Sequence, residues 1–247
     1  IYTGMNFDTQ TADVRKPIDL PERLEVKLEN NSHVKIPQEY TNCRPVLAEL
    51  LNGKVNVGMT TVTRNNDGII RTVSPFIPYK GKYYPFMSFK AGADYLNESH
   101  NNEFTIDKFS NLLVSDTKIP LTKNGEAILN WYGPSETHTM VPMYKLVNEM
   151  QGGQKSGYEF KDKIIIVGTT AMALQDNKSV PVQNNVYPGV EVHATFFNNM
   201  LDDNFIHKTS TITNVLIIAG VIALVGAIVM LSTSTLFAFL STSLFAI

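Results

Sequence analysis

Lys163-Ile164-Ile165-Ile166-Val167-Gly168, followed after a polar interval by Pro188-Gly189-Val190-Glu191-Val192-His193-Ala194, is the stretch on which the reading of the fold turns. Four successive β-branched residues, preceded by lysine and ended by glycine, have the composition of a short parallel strand covered on both faces. Proline at 188 and an apolar stripe at Val190, Ala194, Phe197 and Leu201 predict a helix from about 188 to 201. Strand, polar loop and helix together make an α/β unit, and ligands of open α/β sheets bind beyond the carboxyl ends of the strands. That mouth falls at Gly168 to Asp176. The expected fold class is α/β: a mixed sheet with a buried strand at 163–168 and flanking helices, followed by C-terminal transmembrane helices.

Beyond this unit the chemistry changes. No Asp, Glu, Lys, Arg or His occurs after Lys208. Ile212 to Leu231 is an uncharged run whose length as a helix matches ~30 Å of hydrocarbon. Ser232-Thr233-Ser234-Thr235 reads as a tight turn, and the apolar residues 236–247 read as the start of a second span. The expected division is an extracytoplasmic domain at 1–210, lacking its own N-terminal part, a transmembrane helix at 212–231 and a truncated second one at 236–247. No Lys or Arg lies in the turn, so charge does not orient the pair.

Towards the N-terminus, Pro45 to Leu51 has the spacing of a short helix, and Val55 to Val62 reads as a strand. Asn65-Asn66-Asp67-Gly68 is a turn signal that predicts a β-hairpin with Ile69 to Phe76. Tyr79-Lys80-Gly81-Lys82 marks another turn. Phe86, Phe89, Ala93 and Leu96 predict a helix within 84–96, and short strands are expected near 112–114, 119–121 and 127–131. Pro142 to Met150 reads as a helix. Residues 1–40 are polar and read as irregular after a strand at Ile1 to Met5.

Composition excludes several functions. The chain has 21 Lys and Arg against 23 Asp and Glu, a net charge of −2, with no long basic run. Nucleic acid is therefore not an expected partner. Cys43, the single cysteine, permits neither an internal disulfide nor a cysteine-based zinc site. There is no G-x-S-x-G elbow and no HExxH, and histidines at 33, 100, 138, 193 and 207 lack metal-ligand spacing. No catalytic residue, metal site or cofactor is expected.

The candidate ligand-binding residues are Gly168, Thr169, Thr170, Asp176, Arg71 and His193. Gly168 with the two threonines resembles half of a phosphate cradle, without the remaining P-loop or dinucleotide-binding glycines. Asp176 could hold a cation, or only stabilise its turn. Arg71 could serve an anion, or pair with Asp67 or Asp176. His193 is either a ligand-binder or a hydrogen-bonded histidine at the core edge. Glu191, two residues away on the same helix, faces elsewhere.

These blocks resemble the CHASE2 family, extracytoplasmic sensors of bacterial cyclases and kinases. The C-terminal block matches at Ile164 to Gly168, Asp176, Pro181, Pro188 to Ala194 and the span from Val215. A second block matches at Gly53, Asn56, Asp67-Gly68, Arg71 and Pro75, with Asn66 where the family has Asp. A third is Asn130-Trp131-Tyr132-Gly133-Pro134. The family's opening strand and helix have no counterpart, and neither does the polar segment 8–39 in the family. The resemblance implies a signal-input domain at a bacterial cytoplasmic membrane, with an unknown extracytoplasmic ligand and the bilayer as partners. It puts the Ser232 to Thr235 turn in the cytoplasm. An adenylate/guanylate cyclase is the first expectation for the output and a serine/threonine or histidine kinase the second. The rivals are a membrane-anchored binding or hydrolytic protein and a structural envelope domain that forms a homodimer.

Overall fold

The computed structural model of the chain describes residues 2–8, 19–36, 40–44, 51, 55–96, 102–155, 157–170 and 177–231. Contacts divide it into two units, Ile1–Ile206 and His207–Ile247. The first is a mixed α/β body. Its three-stranded sheet has β1 (Tyr2–Asp8) in the middle. Along Tyr2 to Met5, β1 pairs in parallel with β4 (Asn56–Met59), and along Asn6 to Asp8 it pairs antiparallel with β3 (Asn42–Arg44). A second sheet runs in the order β10 (Thr117–Pro120), β9 (Asn111–Val114), β8 (Glu103–Ile106), β2 (Lys27–Asn30), with β2 and β8 parallel.

Three strand pairs complete the described ladders: β6 (Phe76–Tyr79) with β7 (Lys82–Pro85), β5 (Thr72–Val73) with β11 (Ala127–Ile128), and β12 (Asn177–Val180) with β13 (Gln183–Pro188). Lys80 and Gly81 both take positive φ, 51° and 71°, as a two-residue hairpin turn between β6 and β7 requires.

Helix α1 (Met87–Tyr95) follows β7, α2 (Met143–Met150) follows the Trp131 loop, and α3 (Gly189–Leu201) follows β13. Phe89 and Ala93 of α1 and Val192, Phe196 and Met200 of α3 are buried in the larger core cluster, beside Phe76, Phe86, Phe104 and Leu112. A smaller cluster gathers Met5, Val57, Met59, Ile77, Tyr79 and Tyr84 under the three-stranded sheet. Gly58 lets β4 and the start of α1 meet: a Cβ there would lie 2.4 Å from the Cα of Met87. Cys43 is buried in the smaller cluster, and desolvation pushes its thiol up to about 12, so it is no nucleophile.

The second unit contains α4 (Thr211–Leu231), an apolar helix of 21 residues. Thr211–Met230 is long and apolar enough to cross a membrane, and none of that window is buried within the protein. The turn at 232–235 and the second run at 236–247 lie outside the described residues, as do residues 45–50 of the expected helix at 45–51.

Four expectations are corrected. Residues 163–168 are not a buried strand. They join no described ladder, and Ile164, Ile165 and Val167 are 51%, 57% and 71% exposed. A parallel strand is buried only when both edges are paired and both faces covered. Here one face borders a cleft, and Tyr2 to Gly4 across that cleft pair with β4 instead. The hairpin of 55–62 with 69–76 does not form either. Its turn does, with Gly68 at φ 81° and the Ile69 N–H donating to Asp67 Oδ1 at 3.1 Å. The flanking strands, however, join different partners, β4 with β1 and β5 with β11. Val57 and Val73 bury themselves in different clusters.

The polar segment before residue 40 is not wholly irregular, because β2 lies within it. The interval after Gly168 contains the β12–β13 hairpin rather than loop alone.

Gly58→Ala is expected to cost about 3 kcal/mol by forcing strand and helix apart. Gly81→Ala, in open space at positive φ, should cost about 1 kcal/mol. Urea titration of the full chain in detergent, followed by the single tryptophan, Trp131, ranks the two; equal losses would contradict the close approach.

Candidate functional site

A half-open cleft of about 1180 Å³ lies between β1, α1, α3 and the segment 164–169. β1 contributes Tyr2, Thr3 and Gly4, and the end of β3 contributes Arg44. Thr60, Thr61 and Val62 follow β4 into it. From α1 come Met87, Ser88, Ala91, Asp94 and Tyr95, a set spaced by three and four residues along one helical face. α3 adds Gly189, Val190, His193 and Phe197, and β12 adds Lys178. Gly168 passes close to α3, since a Cβ on it would lie 2.6 Å from the Cβ of Val190.

His193 is 6% exposed. Its ring stacks on Phe86 with centroids 4.5 Å apart and planes 12° from parallel. Its Nδ1 is 2.8 Å from Ser88 Oγ, which joins α3 to α1 by a polar contact inside an apolar interface. Burial pushes the imidazole down to about 4, and the positive charge of Lys178 acts in the same direction. The ring is therefore neutral near pH 7.

At another point of the lining, Asp94 sits in the last turn of α1. Lys90, one turn earlier, donates to Oδ1 at 2.6 Å. The Tyr2 hydroxyl and, at 3.4 Å, Asn56 Nδ2 donate to Oδ2. The Tyr2 hydroxyl is pushed up by burial and by its bond to Asp94.

Glu191 shows why the Trp131 block and the Pro188 block belong together. It is 2% exposed, and its Oε1 accepts from Ser135 Oγ at 2.9 Å. The Glu136 N–H donates to both carboxylate oxygens, at 3.2 and 3.1 Å. The loop after Pro134 is thereby held on α3, and Trp131 packs edge-on to Tyr187 at 5.4 Å. Glu191 and His193 serve opposite sides of the helix, as their spacing requires.

Of the candidates read from the sequence, Gly168, Thr169 and His193 line the cleft. Thr170 is exposed next to them and is not part of the lining. Asp176 lies outside the described residues. Arg71 is elsewhere, with its Nη1 2.7 Å from Asp67 Oδ2 on the exposed turn. The sequence reading missed Arg44, Asp94, Ser88 and Lys178, which converge from β3, α1 and β12. A signal was present for two features: Lys90 and Asp94 at i,i+4, and Gly58 within a strand, which often marks a close backbone approach. Among the described residues no three His, Cys, Asp or Glu side chains are grouped to hold a metal ion.

An α/β body with a mixed polar and apolar cleft, followed in sequence by a helix long and apolar enough to span a bilayer, is the class of protein that the described residues define. The chain belongs to the CHASE2 domain family, whose model matches residues 6–232. CHASE2 domains are extracytoplasmic sensor domains of bacterial receptors. No curated protein and no solved structure matches the chain.

Because His193 is held below its unfolded value, the unfolded chain takes up the proton first as pH falls. Stability is full above pH ~6.5 and is lost on the way down towards pH 4, by about 2 kcal/mol at pH 5. Urea titrations at pH 7 and pH 5 measure this loss, and His193→Gln should flatten the dependence by that amount. Glu191→Ala should cost about 2 kcal/mol, because two donors lose a charged acceptor. A changed Trp131 emission should accompany the lower urea midpoint, while an unaltered midpoint would deny the latch.

Proposed function

We propose that residues 1–210 are the signal-input domain of a bacterial membrane receptor and that the cleft beside His193 is where the stimulus binds. The observation that carries this reading is the cleft itself: a half-open cavity in a domain of a sensor family, with polar groups set among apolar walls. The stimulus acts by binding one arrangement of the cleft more tightly than another, since a ligand without differential affinity shifts nothing. The output is an adenylate/guanylate cyclase, with a serine/threonine or histidine kinase as the second reading; family membership supports both. Attachment is multi-pass in the cytoplasmic membrane, through α4 and the apolar run 236–247, with residues 1–210 outside. The uncharged composition of both runs supports the spans, and family membership supports the orientation.

The test uses the full-length receptor in its own membranes. Ala91→Trp places an indole in the cleft from α1 and should change basal cyclase or kinase output at least threefold. Tyr144→Ala, on the exposed side of α2, should leave output as it was. A membrane-impermeant maleimide should label Thr209→Cys in intact cells and Ser234→Cys only after lysis. Unchanged output in Ala91→Trp overturns the cleft as the stimulus site, and reversed labelling overturns the orientation.

A further inference from the structure

We infer that the cleft takes an extended peptide strand, held by main-chain hydrogen bonds along its length, in preference to a compact small molecule. This rests on the reading of the cleft as the stimulus site and names the chemical class that it takes.

The backbone of Ile164 to Gly168 carries the first step. None of these residues is helical and none takes a positive φ, so the run is compatible with strand pairing. It joins no ladder, and among the described residues nothing bonds to its main chain. Each of its residues nevertheless carries one donor and one acceptor. Ile164 to Thr169 line the cleft without a gap. Side chains of an extended run alternate between its faces, so an unbroken series of lining residues puts the edge of the run, where donors and acceptors lie, against the cleft. Across the cleft Tyr2, Thr3 and Gly4 are again consecutive. β1 gives one edge to β4 along Tyr2 to Met5, and the other to β3 only from Asn6 to Asp8. Among the described residues the second edge of Tyr2 to Met5 is therefore unpaired.

The walls carry the second step. Ile164, Ile165 and Val167 are exposed although they are β-branched and apolar. From Ile164 to Gly168 there is neither a proline nor a charge, the devices that keep a bare edge from pairing with another chain. α1 and α3 add Ala91, Val190 and Phe197 to the same lining. A compact apolar solute would cover these side chains and leave the main-chain groups beside them unpaired. An extended peptide satisfies both: its backbone bonds the run on one side and β1 on the other, while alternate side chains meet the helices. Main-chain bonds then supply affinity, and the apolar wall asks for small or β-branched residues at every second position.

The probe is acetyl-(Thr-Val)3-amide bearing a fluorescein, read by anisotropy against the full chain in phosphatidylcholine nanodiscs, with empty nanodiscs subtracted. It should bind saturably, and deuterium exchange at the amides of Ile164 to Gly168 should slow at least fivefold. N-methylation of its valine amides removes the donors along one edge and keeps every side chain; it should weaken binding at least tenfold. N-acetylvaline amide, which has the side chain without the strand, should not compete at a hundredfold higher concentration. Ile165→Pro should weaken the peptide at least tenfold, whereas Ile165→Thr, which keeps the backbone donor, should stay within threefold. The comparison of plain and methylated peptide in the unaltered chain stands even where a variant fails to fold. Absence of peptide binding overturns the proposal, and so does a methylated peptide that binds as tightly as the plain one. Protection that spares Ile164 to Gly168, or equal losses in folded Ile165→Pro and Ile165→Thr, overturns it too. Where the peptide does not bind, or N-acetylvaline amide displaces it, while Ala91→Trp alters receptor output, the strand class falls and the cleft stands. Where Ala91→Trp changes neither peptide binding nor receptor output, the cleft reading itself falls.

Discussion

The contact between Phe86 and His193 holds the first unit together. Phe86 precedes α1, and its N–H donates to Pro75 O at 2.8 Å, fixing the end of β7 beside the start of β6. It also bridges Met59, the last residue of β4, and so links the smaller core cluster to the larger one. Its ring receives His193 face-on at 4.5 Å and Phe196 edge-on at 5.3 Å, a pairing that suits the charge distribution of aromatic faces and edges. Because the histidine ring is buried here, its Nδ1 needs a partner, and Ser88 supplies one from the first turn of α1. Packing and polar satisfaction then specify one placement of α1 against α3. That placement is the back wall of the cleft.

Around this wall the cleft is shaped by close backbone approaches. Gly58 admits the start of α1, Gly168 admits the side chain of Val190, and a Cβ at Gly4 would meet the Thr60 side chain at 2.2 Å. Each glycine permits a spacing that a side chain would widen. The block Pro188 to Ala194 combines several duties in seven residues: Pro188 caps the helix start, Glu191 holds the Trp131 loop and His193 closes the interface with α1. Three separate stretches of sequence therefore converge on one helix.

Strongly periodic elements could be read directly. The helix at 189–201, the apolar helix at 211–231, the turn at Lys80-Gly81 and the strands at 111–114 and 117–120 follow from local pattern because local pattern determines them. β2 was hidden, since Lys27-Leu28-Glu29-Asn30 has one partly covered side among exposed ones and no alternation to detect. The expected hairpin failed because a turn signal fixes the turn and not the partners of its strands; the core clusters chose those. In the site, Gly168, Thr169 and His193 could be found because they stand inside a recognisable block. Arg44, Asp94 and Lys178 could not, because only the tertiary fold brings β3, α1 and β12 to one cavity.

The exposed run at Ile164 to Val167 is the informative failure. Its β-branched composition favours burial, yet it joins no described ladder, borders the cleft and is more exposed than the cores of the helices opposite it. Segments of that kind open at the least free-energy cost and are where a binding event can change conformation. Fully covering one such side chain is worth about 1.5–3 kcal/mol. Ile164, Ile165 and Val167 are already partly covered, at 51%, 57% and 71% exposure, so covering all three is worth about 3–5 kcal/mol. That falls short of the roughly 5.5 kcal/mol that moves a two-state equilibrium from 1:99 to 99:1; polar contacts must supply the rest. The same energy spent on the rigid wall formed by Phe86, His193 and Phe196 would change nothing, because those rings are already packed. If the cleft is the stimulus site, as proposed, sensitivity therefore belongs to its apolar and uncovered side.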